Sequence, residues 1–441
     1  MAQWNKNEQD YLNQERTLFE VYMRADKYGK IYDDLGQGFS GDLFGRLKTS
    51  LPYTIFDSTH RYEQDGDFSD VVLGAGSTVG IITHQSTATL GIGTTTGCSI
   101  VRESKRIFSY QPGKSLQVLQ TFVMDSPKTN LTQEVGYASS ENGVLLRQST
   151  DASGITTAYF VMKTKRSGIT TEIVVPQSQW NRDTFDGTGF STSNPSGIAL
   201  DLTKAQILFT EYEWLGVGAV RCGLVNSDGN FHTLHVFNHA NVIDSVYMTT
   251  ASLPVRYAIY NTGITSSTST MKQICVSVQS NGGYEKRQAM DVVRTTTLVN
   301  IPGSTFVPIL SVRLAPGRED AVIIPHEFNI FPDSTNPTAF EVALIKNTTL
   351  TNPAFATTSS VSSNVQVDFA ATGLTGGTIV KNDYVTSANK GTAPLNVVQE
   401  YNWDLQLGRT QSKVSDIYTL AIRAISGSGT ALGSLGFFDL T

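Results

Sequence analysis

The sequence predicts a mainly β protein: a jelly-roll or β-sandwich central domain, a short N-terminal helix before it, and a second, smaller C-terminal β domain after it. Three observations predict this. Short runs of apolar, aromatic and β-branched residues recur roughly every ten to fifteen residues, with Gly, Asn and Asp between them. The chain of 441 residues holds 38 glycines and only 16% charged residues, a composition suited to many strands and tight turns. No short-period repeat is present, so neither a propeller nor a solenoid is predicted. The strand spacing favours a sandwich over βαβ units.

Residues 7–26 are the one predicted helix. Tyr11, Leu12, Leu18, Phe19, Tyr22 and Met23 form an apolar stripe at helical spacing, and Glu8, Asp10, Glu15, Arg16 and Arg24 form a charged face. Gly29 is the predicted stop. Two readings of the stripe are open: it packs on its own domain, or it is an arm that docks on another subunit. Residues 29–50 are Gly-rich and read as a linker. The predicted organisation is thus an arm and linker over 1–47, a central β-sandwich over 48–305 and a C-terminal β domain over 306–441.

The central domain opens at Leu51-Pro52-Tyr53-Thr54-Ile55-Phe56-Asp57. Strands are predicted at 79–84, 107–110, 116–124, 143–148 and 158–164 from their alternation. The stretch from Trp180 to Tyr257 organises the domain, with strand-like runs at 205–214 and 231–237. Val299-Asn300-Ile301-Pro302-Gly303 reads as a turn at the domain boundary. Beyond it, strands are predicted at 306–314, 321–324, 339–345, 361–369, 378–380 and 418–425, with a last hairpin among the glycines of 427–436. Residues 348–364 read as an exposed Ser/Thr-rich loop.

Charge and cysteine content narrow the function. A formal net charge of −6 argues against a general nucleic-acid binder. Cys98, Cys222 and Cys275 are far apart and odd in number, which predicts reduced thiols and synthesis in a reducing cytoplasm. The first residues lack the apolar core of a signal peptide, and no apolar run reaches the ~20 residues that a membrane span needs. No membrane or nucleic-acid partner is therefore expected.

Motifs for chemistry fail one by one. His232, His235 and His239 suggest a metal site, but strand geometry points His232 and His235 to opposite faces and sets His235 about 13 Å from His239. A turn near Asn238 is the one way to bring that pair together. His326-Glu327-Phe328-Asn329-Ile330 begins like a zinc-protease motif and lacks its second histidine. Glu211 and Glu213, two apart in a predicted strand, share a face at about 7 Å, a spacing glycosidases use; ordinary structural carboxylates are the alternative. Asp183 and Asp186 read as turn residues, with calcium binding as the lesser option. There is no nucleophile elbow and no phosphate loop. No cofactor is expected. Among the aromatics, Trp180, beside Asn181 and Asp183 in a loop, is the candidate glycan contact, with a core plug as the competing reading.

Several segments together resemble a known group. They are Phe108-Ser109-Tyr110-Gln111-Pro112-Gly113-Lys114-Ser115, the loop from Trp180 to Gly189, Glu213-Trp214-Leu215-Gly216-Val217-Gly218, and His235-Val236-Phe237-Asn238-His239-Ala240-Asn241. Tyr247-Met248 and Leu253-Pro254-Val255-Arg256-Tyr257 extend the match. The chain resembles virion structural proteins of tailed bacteriophages of marine bacteria, with related sequences in large algal viruses. The resemblance spans roughly residues 50–290. It implies a place in the virion (tail, fibre, neck or capsid decoration) and no reaction. It implies other virion proteins as partners and a homo-oligomer, with a trimer favoured. The alternative it leaves is a module that binds a host surface glycan.

Overall fold

The structure, a computed structural model, describes residues 51–285, 290–333, 338–358, 362–387, 393–396 and 403–441, together with the two-residue strands Arg24–Ala25 and Ile31–Tyr32, which pair antiparallel. The predicted arm residues Tyr11, Leu12, Leu18, Phe19, Tyr22 and Met23 lie outside the described residues, as does most of the linker. The end of the predicted helix is corrected: Arg24 and Ala25 are extended and hydrogen-bonded to Tyr32 and Ile31. Among the described residues there are strands and three short 3-10 turns but no α-helix, and no helix is long and apolar enough to cross a membrane.

The described chain forms two compact units. The first is built chiefly from residues 72–101 and 110–284. The second comprises 285–441 together with 66–71 and 102–109. The predicted boundary at 305/306 therefore falls inside the second unit. The reason is strand pairing: Met290–Arg294 and Val299–Ile301, the latter expected as a turn, both pair with Gly429–Asp439.

The first unit contains two antiparallel sheets. One has seven strands in the order Thr171–Pro176, Thr156–Thr164, Gly143–Thr150, Leu131–Ala138, Val255–Asn261, Ser99–Ser104 and Phe68–Leu73, of which residues 102–104 and 68–71 are counted with the second unit. The other has eight. Its main path runs Phe231–Phe237, Val220–Val225, Gln206–Tyr212, Ser115–Val123, Ser269–Asn281, Thr87–Ile92 and Thr78–Ile82, with Tyr53–Ser58 also paired to Ser269–Asn281. Alternation explains the second sheet well. In Ser115–Val123 the apolar Leu116, Val118 and Phe122 are buried, and Gln117, Leu119 and Thr121 are partly exposed on the other face.

The two sheets face each other across a packed layer. The rings of Tyr137 and Tyr212 stand edge to face with centroids 5.2 Å apart, and Tyr212 Oη donates to the Tyr137 carbonyl at 3.2 Å. Gln120 is fully buried, and its Nε2 donates to the Gly136 carbonyl of the opposite sheet at 3.2 Å. Ile107-Phe108-Ser109-Tyr110, expected as a strand, is a buried connection instead, with only Phe108 forming an isolated bridge position.

The second unit also holds two sheets. In one, Gly429–Asp439 lies between Met290–Arg294 and Ile323–Asp333, with Ala393–Asn396 beyond the latter. The other runs Val365–Asp368, Val307–Leu314, Ile417–Ala424, Ala339–Lys346 and Thr378–Thr386. Phe328, Phe340, Leu344, Leu420, Leu435 and Phe437 belong to one apolar cluster drawn from both sheets. Ion pairs join the segments 66–71 and 102–109 to each other, Arg102 with Asp70 at 2.6 Å and Arg106 with Asp67 at 2.5 Å, and tie 102–109 to the rest of the unit, Glu103 with Arg409 and Arg106 with Asp404, both at 3.1 Å.

Candidate functional site

The loop that carries Trp180, Asn181 and Asp183 closes one edge of the eight-stranded sheet. The strand Phe231–Phe237 ends that sheet, and an open strand edge leaves backbone groups without partners. Here Arg182 N and Asp183 N both donate to the Leu234 carbonyl, at 3.0 and 3.2 Å. Asn181 completes the cover with its side chain: Nδ2 donates to the Val236 carbonyl and Oδ1 accepts from Val236 N, both at 2.9 Å. The amide thus does the work of a short strand.

Trp180 is not presented to a ligand. It is 5% exposed, its ring packs on Phe160 at 4.6 Å between centroids, and its Nε1 donates to the Val175 carbonyl. The glycan-contact reading of this residue is corrected to a core plug. Asp183 is buried and serves turns, its carboxylate accepting from Phe185 N and Ser196 N. Phe185 sits at φ 47°, a left-handed conformation that this Asp bond helps to hold. Asp186 accepts from Thr188, Thr184 and Asn194, and the Thr188 bonds hold its carboxyl below the usual range.

The three histidines are packing residues. His232 lies against Phe185, and His235 lies against Phe237 with its Nδ1 accepting from Asn181 N. His239 stacks on Tyr247 at 3.9 Å, and its Nδ1 donates to the Gly218 carbonyl at 2.6 Å. Among the described residues, no group of three or more His, Cys, Asp and Glu side chains could hold a metal ion. His326 is packed against Phe438 at a bulge in its strand.

Burial pushes His235 down to about 4, from an ordinary 6.5. Its Nδ1 must be unprotonated to accept from Asn181. A folded-state value below the unfolded one means that the unfolded chain takes up the proton first. Stability from this residue is therefore complete above pH 6.5 and falls as pH drops toward 4. Melting temperature measured against pH should show this slope, and His235→Gln should flatten it.

Both paired glutamates are buried. Glu211 is 1% exposed; its Oε1 accepts from Ser115 Oγ at 2.6 Å and its Oε2 meets Arg221 at 3.2 Å. Glu213 lies just past the end of Gln206–Tyr212, where its N–H donates to the Ala219 carbonyl to begin a tight turn. That turn needs glycine at 218, because a Cβ there would stand 1.6 Å from the Glu213 carbonyl oxygen. Trp214 Nε1 donates to the Met248 carbonyl, and Tyr247 and Tyr257 are buried.

What the first unit does present is an edge. The strand Thr171–Pro176 ends the seven-stranded sheet, and among the described residues no strand pairs with its far side. Ile173 and Val174, on opposite faces of it, are 49% and 44% exposed. Ile169 in the turn before it is also exposed. Sequence reading missed this strand. Its signal was the β-branched run Ile173-Val174-Val175, hidden by its shortness.

The edge is held rigidly from behind. Arg147 makes a fork to Glu172 at 2.8 and 2.9 Å and reaches Glu134 at 2.6 Å, while Tyr260 Oη donates to Glu134. The Arg147 hydrogen bonds hold the Glu172 carboxyl below its usual range.

No protein-family model matches this chain, and no curated protein does. Solved structures match about half of this chain at low similarity. The Emp47p carbohydrate recognition domain is 10% identical with a TM-score of 0.32, covering 54% of this chain and 99% of that one. A Bacillus licheniformis beta-glucanase is 9% identical with a TM-score of 0.32, covering 52% and 98%. Peanut lectin with a 9mer peptide is 10% identical with a TM-score of 0.27, covering 52% and 98%. At these values the likeness carries no ligand, substrate or activity over to this chain.

Proposed function

We propose that this chain is a structural subunit of a bacteriophage particle, a tail, fibre, neck or capsid-decorating component that works through contacts with neighbouring subunits. The observation that carries the reading is the open strand Thr171–Pro176 with Ile173 and Val174 exposed and Ile169 exposed in the turn before it. Soluble β proteins usually blunt such an edge with lysine, proline or a bulge. This one pairs with Thr156–Thr164 without a register shift and has Pro176 only at its end. In an assembly a neighbour covers it, and burying each of these side chains fully contributes about 1.5–3 kcal/mol. The resemblance over residues 50–290 supports the same reading. Catalysis has no part in this reading: the Glu211 carboxylate is held by Ser115 and Arg221, and Glu213 is buried. A glycan-binding role would need side chains other than Trp180, Asn181 and Asp183, which are engaged internally.

The test is the composition of purified particles. Mass spectrometry should find the chain there at a fixed stoichiometry. Ile173→Lys with Val174→Lys should give a folded protein with the wild-type circular dichroism that is missing from particles. A chain found only in the soluble lysate, or a double variant incorporated at wild-type levels, defeats the reading.

A further inference from the structure

One residue reveals which backbone groups of Thr171–Pro176 face outward. Pro176 stands opposite Tyr159, and proline has no N–H to exchange. That pair is therefore of the non-hydrogen-bonded kind, and the two kinds alternate along an antiparallel ladder. Thr171, Ile173 and Val175 thus bond to Thr156–Thr164, opposite Thr164, Met162 and Phe160. Glu172 and Val174 turn their N–H and C=O groups to the far side. Among the described residues no strand lies there, and residues 171–174 are all exposed. The Trp180 indole donates to the Val175 carbonyl, which belongs to the inner row, so this bond leaves the outward groups open. The strand carries no lysine and no register shift.

We infer that this strand pairs with the same strand of a second copy, antiparallel, about a two-fold axis at Ile173. The inference rests on the reading above that a neighbour covers this edge, and it names that neighbour. Side chains keep their faces only if the axis passes through a residue and not between two. An axis at Glu172 sets the two Glu172 side chains against each other, like charge to like. An axis at Val174 sets Glu172 opposite Pro176, which has no N–H to give its carbonyl. Axes further out shorten the pairing. An axis at Ile173 avoids all three faults. Glu172 then exchanges both bonds with the partner's Val174, and Val174 exchanges both with the partner's Glu172. Every outward group of these two residues is used. Ile173 meets the partner's Ile173 in a non-hydrogen-bonded pair, the kind with the closer side chains, and its 49% exposure in one copy is reduced. Each Glu172 carboxylate stays in its own Arg147 fork, so the contact asks no charge of the partner. What favours a second copy over a foreign strand is this match of the edge to itself in one register, with Glu172 and Pro176 rejecting the neighbouring ones. The contact is isologous and joins the seven-stranded sheets of two copies into one.

The test uses the full chain. Sedimentation velocity across a micromolar concentration series should show a monomer–dimer equilibrium. Val174→Pro removes an outward N–H and leaves the bonds to Thr156–Thr164 in place. It should weaken the dimer by about tenfold or more, with the wild-type circular dichroism. Ile173→Cys, on the axis, should form a disulfide-linked dimer on mild oxidation beyond any that the wild-type chain forms, since the Cα atoms of such a pair lie about 4.5 Å apart. Val174→Cys should not, because a two-residue offset sets its two copies about 8 Å apart, beyond the reach of a disulfide. If Val174→Pro fails to fold, the two cysteine variants decide alone. A wild-type monomer throughout, with no cross-link from Ile173→Cys, overturns the inference. So does a dimer that folded Val174→Pro leaves intact, or a cross-link from Val174→Cys in place of Ile173→Cys. The particle reading is judged separately. A monomer that is found in particles, and lost from them with Ile173→Lys and Val174→Lys, keeps that reading and overturns this inference. A dimer with the expected cross-links in a chain absent from particles does the reverse.

Discussion

Trp180→Ala is expected to destabilise the first unit by about 3–5 kcal/mol, the range for removing a large buried aromatic. The ring fills the space between the start of its loop and Phe160, and Nε1 satisfies the Val175 carbonyl. Alanine leaves a cavity and orphans that carbonyl. It also loosens the entry of the loop whose next residue, Asn181, covers the Val236 backbone. Asn181→Ala should cost less, about 1 kcal/mol, because water can replace bonds at an exposed position. Urea unfolding followed by tryptophan fluorescence and circular dichroism measures both. An unchanged midpoint for Trp180→Ala would mean that the ring does not hold the core and would reopen its role at the surface.

Arg409→Met is expected to cost the second unit about 3–5 kcal/mol, the range for breaking a buried ion pair from one side. Arg409 and Glu103 are separated by most of the chain, and their side chains are 8% and 3% exposed. Methionine keeps much of the volume but leaves the Glu103 carboxylate in a poorly solvated place without its Arg409 bond. The double variant Arg409→Met with Glu103→Leu should recover part of the loss, because two apolar groups need no ion pair. Calorimetry should show a lowered transition for the single variant and a higher one for the double. Equal loss in both would mean that the pair matters through shape and not through charge.

The sequence made some of this visible for physical reasons. Ser115–Val123 alternates because one face is packed and the other partly wet. Leu131–Ala138 does not alternate, because all eight residues are buried, including Thr132, Gln133 and Glu134. A polar strand inside the protein has no periodic signal to read. The second unit's opening strands were lost for a different reason: Met290–Arg294 and Val299–Ile301 take their identity from Gly429–Asp439, far along the chain. Trp180 had two readings because its neighbours in sequence are polar while its neighbours in space, Phe160 and Val175, are not. Ile107–Tyr110 looked like a strand because it is apolar, but its apolar residues are buried in a connection.

The chain path of the second unit bears on how the protein is made. Its parts include residues 66–71 and 102–109, and its sheet is centred on Gly429–Asp439. A nascent chain has the first of these hundreds of residues before the last. Until Gly429–Asp439 emerges, Met290–Arg294 and Ile323–Asp333 have no strand between them. Loops of that length close slowly, and sheets of distant strands wait on them. The first unit has most of its strands much earlier. Synthesis should therefore pass through a state in which the first half is folded and the second displays unpaired strands, the state in which chaperones and aggregation compete.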